Sequence, residues 1–505
     1  MLRKVRIVLA VITVSLITLL FLDFTGTVHT YFGWLAKIQF LPALLALNAG
    51  IVAVLILLTV LLGRIYCSII CPLGILQDIF GWMGKKAKKN RYTYTPEKKY
   101  IRYGFLATFI LLMVIGVNSV AVLIAPYSTY GRIVGTLLLP LYELGNNALA
   151  YVAERLDSYA FYQVDVWVKS ISLIAISLVT LATIAFLSWR NGRTWCNTVC
   201  PIGTILGFFS KHAIFGVKID TNKCIQCGKC AKNCKASCIN VENGEIDYSR
   251  CVSCFDCIEE CKKGAILHTQ LRNSNTKNFE ERLKEKNGEK ASGETIDESR
   301  RKFVIATSAM IAGATIEAEA KKVDGGLAVI QDKEIPEREI SPKPAGSLSI
   351  KHFSMHCTAC QLCVTACPNG VLRPSQSVDH FMQPGMSFER GFCRPECNKC
   401  STVCPTGAIQ PITVAEKSDI QIGHAVWIAK NCLVETKGIS CGSCAAHCPV
   451  GAILMVSKES SDPDSPKVPV VNTERCIGCG ACENLCPARP FSAIYVEGYD
   501  VHHNG

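Results

Sequence analysis

Charge is scarce in this chain. Only 19% of its 505 residues are Asp, Glu, Lys or Arg, and the mean hydropathy is +0.26. Soluble domains carry about 25% charged residues, so an ordinary water-soluble protein is excluded, and so is a charge-rich disordered one. Histidine and methionine are also few, at 10 and 8. No nucleotide-binding glycine loop and no nucleophile–base constellation stands out, so group-transfer or hydrolytic chemistry on a small substrate is not expected. What abounds is cysteine, at 29 residues. Disulfide scaffolds are short secreted chains, and this chain is long. The remaining chemistry is soft-metal ligation.

Spacing selects the metal. Twenty-four cysteines fall into six runs of four. The first two, Cys224, Cys227, Cys230, Cys234 and Cys251, Cys254, Cys257, Cys261, read C-x2-C-x2-C-x3-C. Runs three and four are Cys357, Cys360, Cys363, Cys367 and Cys393, Cys397, Cys400, Cys404. Runs five and six are Cys432, Cys441, Cys444, Cys448 and Cys476, Cys479, Cys482, Cys486. This is the bacterial [4Fe-4S] pattern: three thiolates wrap a loop around one cube, and the fourth serves a second cube. Zinc sites use C-x2-C pairs across a long spacer and do not explain the third and fourth cysteines. Six runs therefore predict six [4Fe-4S] clusters. Pro368, Pro405, Pro449 and Pro487 follow the fourth cysteine as the pattern requires, whereas Lys235 and Lys262 replace proline in the first two runs. Cys238 lies four residues past Cys234 and reads either as an alternative ligand or as a spare thiol.

The apolar residues are concentrated before residue 210. Stretches 5–22, Leu41–Gly63, Ile101–Ala125 and Val164–Leu187 are each read as membrane spans. No A-x-A site follows the first, which favours an anchor over a cleaved signal. The segment Ile133–Val152, broken by Pro140, Glu143 and Asn146, reads as a surface or interfacial helix, with a fifth span as the alternative. Lys85, Lys86, Lys88, Lys89, Arg91, Lys98, Lys99 and Arg102 lie between spans two and three. The loops at 23–37 and 126–163 hold few bases and include Asp23, Glu143, Glu154 and Asp157. The basic loop marks the cytoplasmic side. The formal net charge of +12 is thus a topology signal, and no nucleic-acid partner is expected.

The expected fold is a membrane α-helical unit of about four spans over residues 1–210, joined to α+β bacterial ferredoxin-like domains. A two-cluster domain occupies 211–270, a linker 271–298, a second linker 321–350, and a four-cluster domain 351–505. Between the linkers, residues 299–320 contain Ser299-Arg300-Arg301-Lys302-Phe303-Val304, an apolar stretch and Ala318-Glu319-Ala320. This resembles an internal twin-arginine export signal; the bland reading is a basic helix cap.

Arg64-Ile65-Tyr66-Cys67-Ser68-Ile69-Ile70-Cys71-Pro72-Leu73-Gly74 recurs as Arg193-Thr194-Trp195-Cys196-Asn197-Thr198-Val199-Cys200-Pro201-Ile202-Gly203. Cysteines four apart share a helix face, and proline suits the first turn of the next helix. Cys67, Cys71, Cys196 and Cys200 bind a further metal or cluster, cycle between dithiol and disulfide, or merely pack. The repeated arginine, aromatic and glycine argue against packing alone.

The helical unit with two C-x3-C-P motifs and a trailing two-cluster domain resembles the NapH-type membrane ferredoxin. The four-cluster half resembles the NapG or methylamine-utilisation type of periplasmic ferredoxin. The resemblance implies a quinol dehydrogenase component that takes electrons from the membrane quinol pool and passes them to a periplasmic reductase, such as nitrate reductase, or to a cytochrome. It implies a multi-pass protein of the bacterial inner membrane, with two clusters on the cytoplasmic side and four on the periplasmic side. It further implies that Cys224, Cys227, Cys230 with Cys261, and Cys251, Cys254, Cys257 with Cys234, each hold a cluster. In the four-cluster half it implies pairing of the outer runs (Cys357, Cys360, Cys363 with Cys486; Cys476, Cys479, Cys482 with Cys367) and of the inner runs (Cys393, Cys397, Cys400 with Cys448; Cys432, Cys441, Cys444 with Cys404). Pairing of adjacent runs is the alternative. His356 and His447 neighbour cluster cysteines, and His29 with Asp23 could meet quinol protons. Rival functions are a maturation factor for a copper or nitrous oxide reductase type of enzyme, and a subunit of a cytoplasmic ferredoxin-linked complex.

Overall fold

The computed structural model describes residues 1–87, 92–158, 160–164, 166, 171–271, 332–377, 380–459 and 465–504. The twin-arginine-like segment 299–320 lies outside the described residues, as does all but Leu271 of the linker 271–298. Met1–Leu271 and Lys333–Gly505 form one compact unit.

Two helices, Leu2–Leu22 and Ile171–Asn191, are long and apolar enough to cross a membrane. Each has 21 residues, about 30 Å at 1.5 Å per residue. Val8, Val11, Ile12, Leu178, Val179 and Phe186 point outward from them and are exposed, a surface suited to lipid. The other two expected spans are shorter. Leu41–Gly63 divides into helices Phe40–Leu45 and Ala49–Leu62. The break is built locally: Asn48 N donates to Ala43 O, closing one helix, and the Asn48 side chain accepts from Ile51 N, opening the next. Ile101–Ala125 becomes Lys99–Ile115, stopped by Gly116 at φ +91°, and the short helix Asn118–Ala121. The segment read as a surface helix is longer and more central than expected. Helices Pro126–Ile133 and Leu139–Arg155 are joined by the π-turn Val134–Leu138, which packs on both membrane-length helices.

The ferredoxin regions are small α+β units with antiparallel strand pairs. Phe215–Ile219 pairs with Ile266–Gln270 and Ile239–Asn240 with Glu245–Ile246 around the first two runs. Leu372–Pro374 with Pro384–Met386, Ile420–Trp427 with Ile494–Asn504, and Ile453–Ser457 with Lys467–Val471 frame the other four. Runs one to four share one apolar core with the helices, whereas runs five and six have a core of their own. The described part of the second expected linker is a packed strap: Arg338 Nε donates to Val496 O, Glu334 N to Pro490 O, and Lys343 is buried.

Candidate electron-transfer centres

The cysteine runs wrap by a repeated backbone device. In runs one, two, three and six, the residue just before the second cysteine and the residue just after it have positive φ. These are Gln226 and Gly228, Ser253 and Phe255, Ala359 and Gln361, and Gly478 and Gly480. Non-glycine residues rarely adopt this conformation without a local requirement; here it turns three thiols toward one centre. Backbone N–H groups then aim at the thiols of the fourth cysteines: Ala265 at Cys261, Ala452 at Cys448, Ala493 at Cys486 and Ile409 at Cys404, all at 3.2–3.5 Å. Such donors favour thiolate over thiol.

Five of the centres combine cysteines of one run with the fourth of its neighbour. A cavity is lined by Cys251, Cys254, Cys257 and Cys234, as expected, and by Cys238. A second is lined by Cys393, Cys397, Cys400 and Cys367. A third is lined by Cys432, Cys441, Cys444 and Cys486. Cys404 is the outside thiol common to Cys357, Cys360 and Cys363, and Cys448 the one common to Cys476 and Cys479. The outer-with-outer and inner-with-inner pairing is therefore corrected to adjacent pairing. The reason is packing: helix Leu362–Thr365 lies against Lys399–Val403, and Ser443–Ala446 against Ala481–Asn484, within separate cores. The thiol cavities and their N–H donors suit cubic iron–sulfur clusters, which would be held by these three-plus-one sets.

Cys238 is buried, with its Sγ 3.5 Å from that of Cys234. It is a fifth thiol against a four-thiol site. His356 and His447 bond through Nδ1 to their own helix backbones, at His352 O and Ser443 O. Lys417 was missed in the sequence. It is buried, and its ammonium donates to the carbonyls of Arg394 and Cys397 inside a cluster loop. No local motif marks it.

The lysine that replaces proline after the first run has a structural use. Lys235 pairs with Asp256 at 2.9 Å and with Asp78 of helix Pro72–Lys86 at 3.4 Å. Asp78 also binds Arg6 and Arg193, at 2.6 and 2.8 Å. Arg3 binds Asp256 and Glu259. Burial alone would raise the Asp256 carboxyl, but Lys235 and Arg6 together outweigh it and hold it below the usual range. These charges lock the first ferredoxin region to the helices.

The four remaining cysteines come together. Cys67, Cys71, Cys196 and Cys200 are all buried, and Cys71 feels the other three. Arg64 donates to Asn197 Oδ1 at 2.7 Å and to Ser249 O at 3.1 Å, and Gln77 Nε2 donates to Cys196 Sγ at 3.1 Å.

At the far end of helix Leu2–Leu22, Asp23 accepts from Gly26 N and His29 N, and its carboxylate lies 3.1 Å from His29 Nδ1. Burial lowers the His29 pKa from 6.5 despite the pull of Asp23, and His29 Nε2 is buried without a partner. The adjoining Thr25 O accepts from Lys399, the neighbour of Cys400.

Comparison with known proteins places these features. A family described as "4Fe-4S binding domain" matches residues 45–90 and 173–222, and "4Fe-4S dicluster domain" matches 437–489. The latter spans most of runs five and six, in keeping with adjacent pairing. The Methylorubrum extorquens methylamine utilization ferredoxin-type protein MauM is 31% identical over 28% of this chain and 67% of its own length. The putative electron transport protein YccM of Escherichia coli K12 is 27% identical over 38% of this chain and 47% of its own. The ferredoxin-type protein NapH of the same organism is 26% identical over 38% of this chain and 55% of its own. The chain thus spans about half the length of the two Escherichia coli relatives. No solved structure matches.

Proposed function

The chain belongs to the ferredoxin-type 4Fe-4S electron-transfer proteins related to MauM and NapH, and from that premise we propose that it is a membrane-bound relay. It takes electrons from quinol and delivers them to a reductase or cytochrome on the periplasmic side. One observation carries this reading. A membrane-length helix has a different ferredoxin region at each end: Arg3 at its start pairs with Asp256 and Glu259, and Phe21 at its end lies beside Gly131 and the Cys360 carbonyl. The basic loop before Arg102 favours the cytoplasmic side for the first region. Clusters, when bound, supply one-electron steps at potentials set by the protein.

Quinol oxidation releases two protons and two electrons and leaves quinone. The electrons pass singly to an acceptor; the protons need a base. His29 is suited to the first proton. Its imidazole is neutral at pH 7, its Nδ1–H is held by Asp23, and its Nε2 is free to accept. Asp23 fixes the tautomer and stabilises the imidazolium that forms. His29→Gln is expected to slow reduction of the chain by quinol about 100-fold or more, leaving reduction by dithionite and the iron content unchanged. An unaltered quinol rate would overturn this role. The wild-type rate should also fall in acid, at a pH below the ordinary histidine range because burial lowers the His29 pKa, as His29 then becomes protonated and cannot accept.

A further inference from the structure

Helix Val414–Asp419 buries a single side chain, and that side chain is a lysine, Lys417. A surface helix ordinarily turns apolar residues toward its core, and lysine is almost never fully buried unless it is paired. A capping box sets the helix in place: Thr413 Oγ1 accepts from Glu416 N, and the Glu416 carboxylate accepts from Thr413 N. The same box turns Glu416, the acid next to Lys417, back toward Thr413. Asp419, the other acid of the helix, is exposed.

Lys417 reaches into a ligand loop instead. Its ammonium donates to Arg394 O and Cys397 O, and the residue lines the cavity of Cys367, Cys393, Cys397 and Cys400. Among the described residues, no carboxylate pairs with it. It favours negative charge on Cys393 and on Cys400, against the burial of both. A buried cation without a counter-charge is strongly unfavourable, and neutral thiols supply none. A cube held by four thiolates is a net anion, and each added electron makes it more negative. Cluster potentials therefore respond to nearby charge and to donors at the sulfurs. A fixed ammonium stabilises the reduced form more than the oxidised form.

We propose that Lys417 is the built-in counter-cation of the centre formed by Cys367, Cys393, Cys397 and Cys400, and that it raises the reduction potential of that centre. The change it favours is the gain of one electron from a reductant, with no bond formed or broken and no proton taken from the ammonium. The same centre meets the helical unit: Lys399, beside Cys400, donates to Thr25 O at 3.4 Å, just past helix Leu2–Leu22. Quinol is a weak reductant, so a centre poised upward suits it as a donor. That use rests on the relay reading above; the counter-cation does not.

A mediated redox titration of the full chain, purified in detergent without oxygen and followed by paramagnetic resonance, tests this with dithionite as the reductant. Lys417→Met keeps most of the stem and removes the charge. At a fixed potential, the reduced-to-oxidised ratio of one cluster is expected to fall at least about tenfold, a drop of about 59 mV for one electron. The other clusters should keep their midpoints. Lys417→Arg retains the charge and should hold that midpoint near the wild-type value. Unchanged midpoints in a Lys417→Met protein with its full iron content would overturn the proposal. Should Lys417→Met lose the cluster, Lys417→Arg decides. A cluster retained there supports charge as the cause; loss in both variants makes Lys417 a matter of shape and overturns the proposal. A lowered midpoint in a chain that quinol never reduces would sink the relay reading and leave the counter-cation standing.

Discussion

The two ferredoxin regions are fixed to the helices in opposite ways. The first is held by charge: Asp78 gathers Arg6, Arg193 and Lys235, while Asp256 gathers Lys235 and Arg3. The second is held by close backbone approach. Gly131 lies so near Cys360 O and the Phe21 ring that a methyl group there would overlap both, and Asn118 bonds the carbonyls of Ser354 and Met355. The difference fits two arrival routes. In the proposed topology, a domain contiguous with the basic loops folds among their lysines and arginines and can use them. In the same proposed topology, a domain on the other face docks where such charges are scarce, so shape does the fixing.

Each contrast can be broken separately. The largest effect is expected from Asp78→Asn, which strands three cations; breaking a buried pair costs about 3–5 kcal/mol. Denaturant unfolding in detergent should show this loss, with iron lost first from the first two runs, and an unchanged midpoint would contradict the charge lock. Gly131→Val should cost about 1–3 kcal/mol by overpacking. It should raise protease sensitivity of residues 351–505 while sparing the first ferredoxin region; equal sensitivity in both would contradict separate fixation. Arg3→Ala should matter least. The Arg3 side chain is 40% exposed, and exposed pairs contribute about 0–1 kcal/mol, so the change should vanish in high salt.

The cysteine runs and their metal were legible because ligand spacing is local and repeats. The helix break at Asn48 and the helical stop at Gly116 were also written in the sequence, as a cap and a glycine, but the long apolar stretches around them masked both. Pairing of runs three to six was not legible, because the choice depends on which short helices share a core. Lys235 was visible as a departure from proline, yet its reason, Asp78, lies 157 positions away and only folding joins them. The C-x3-C-P repeat was plain; the crosswise bonds of its arginines, Arg193 to Cys67 O and Arg64 to Cys196 O, needed three dimensions.

The central claim is that the two ferredoxin regions face opposite sides of one membrane. A reporter enzyme active only outside the cytoplasm, fused after Gly505 in the full chain, tests it most directly. The account predicts an active reporter there and a silent one when the same enzyme is fused after Leu271. A silent reporter after Gly505, in cells that accumulate the fusion, would contradict it.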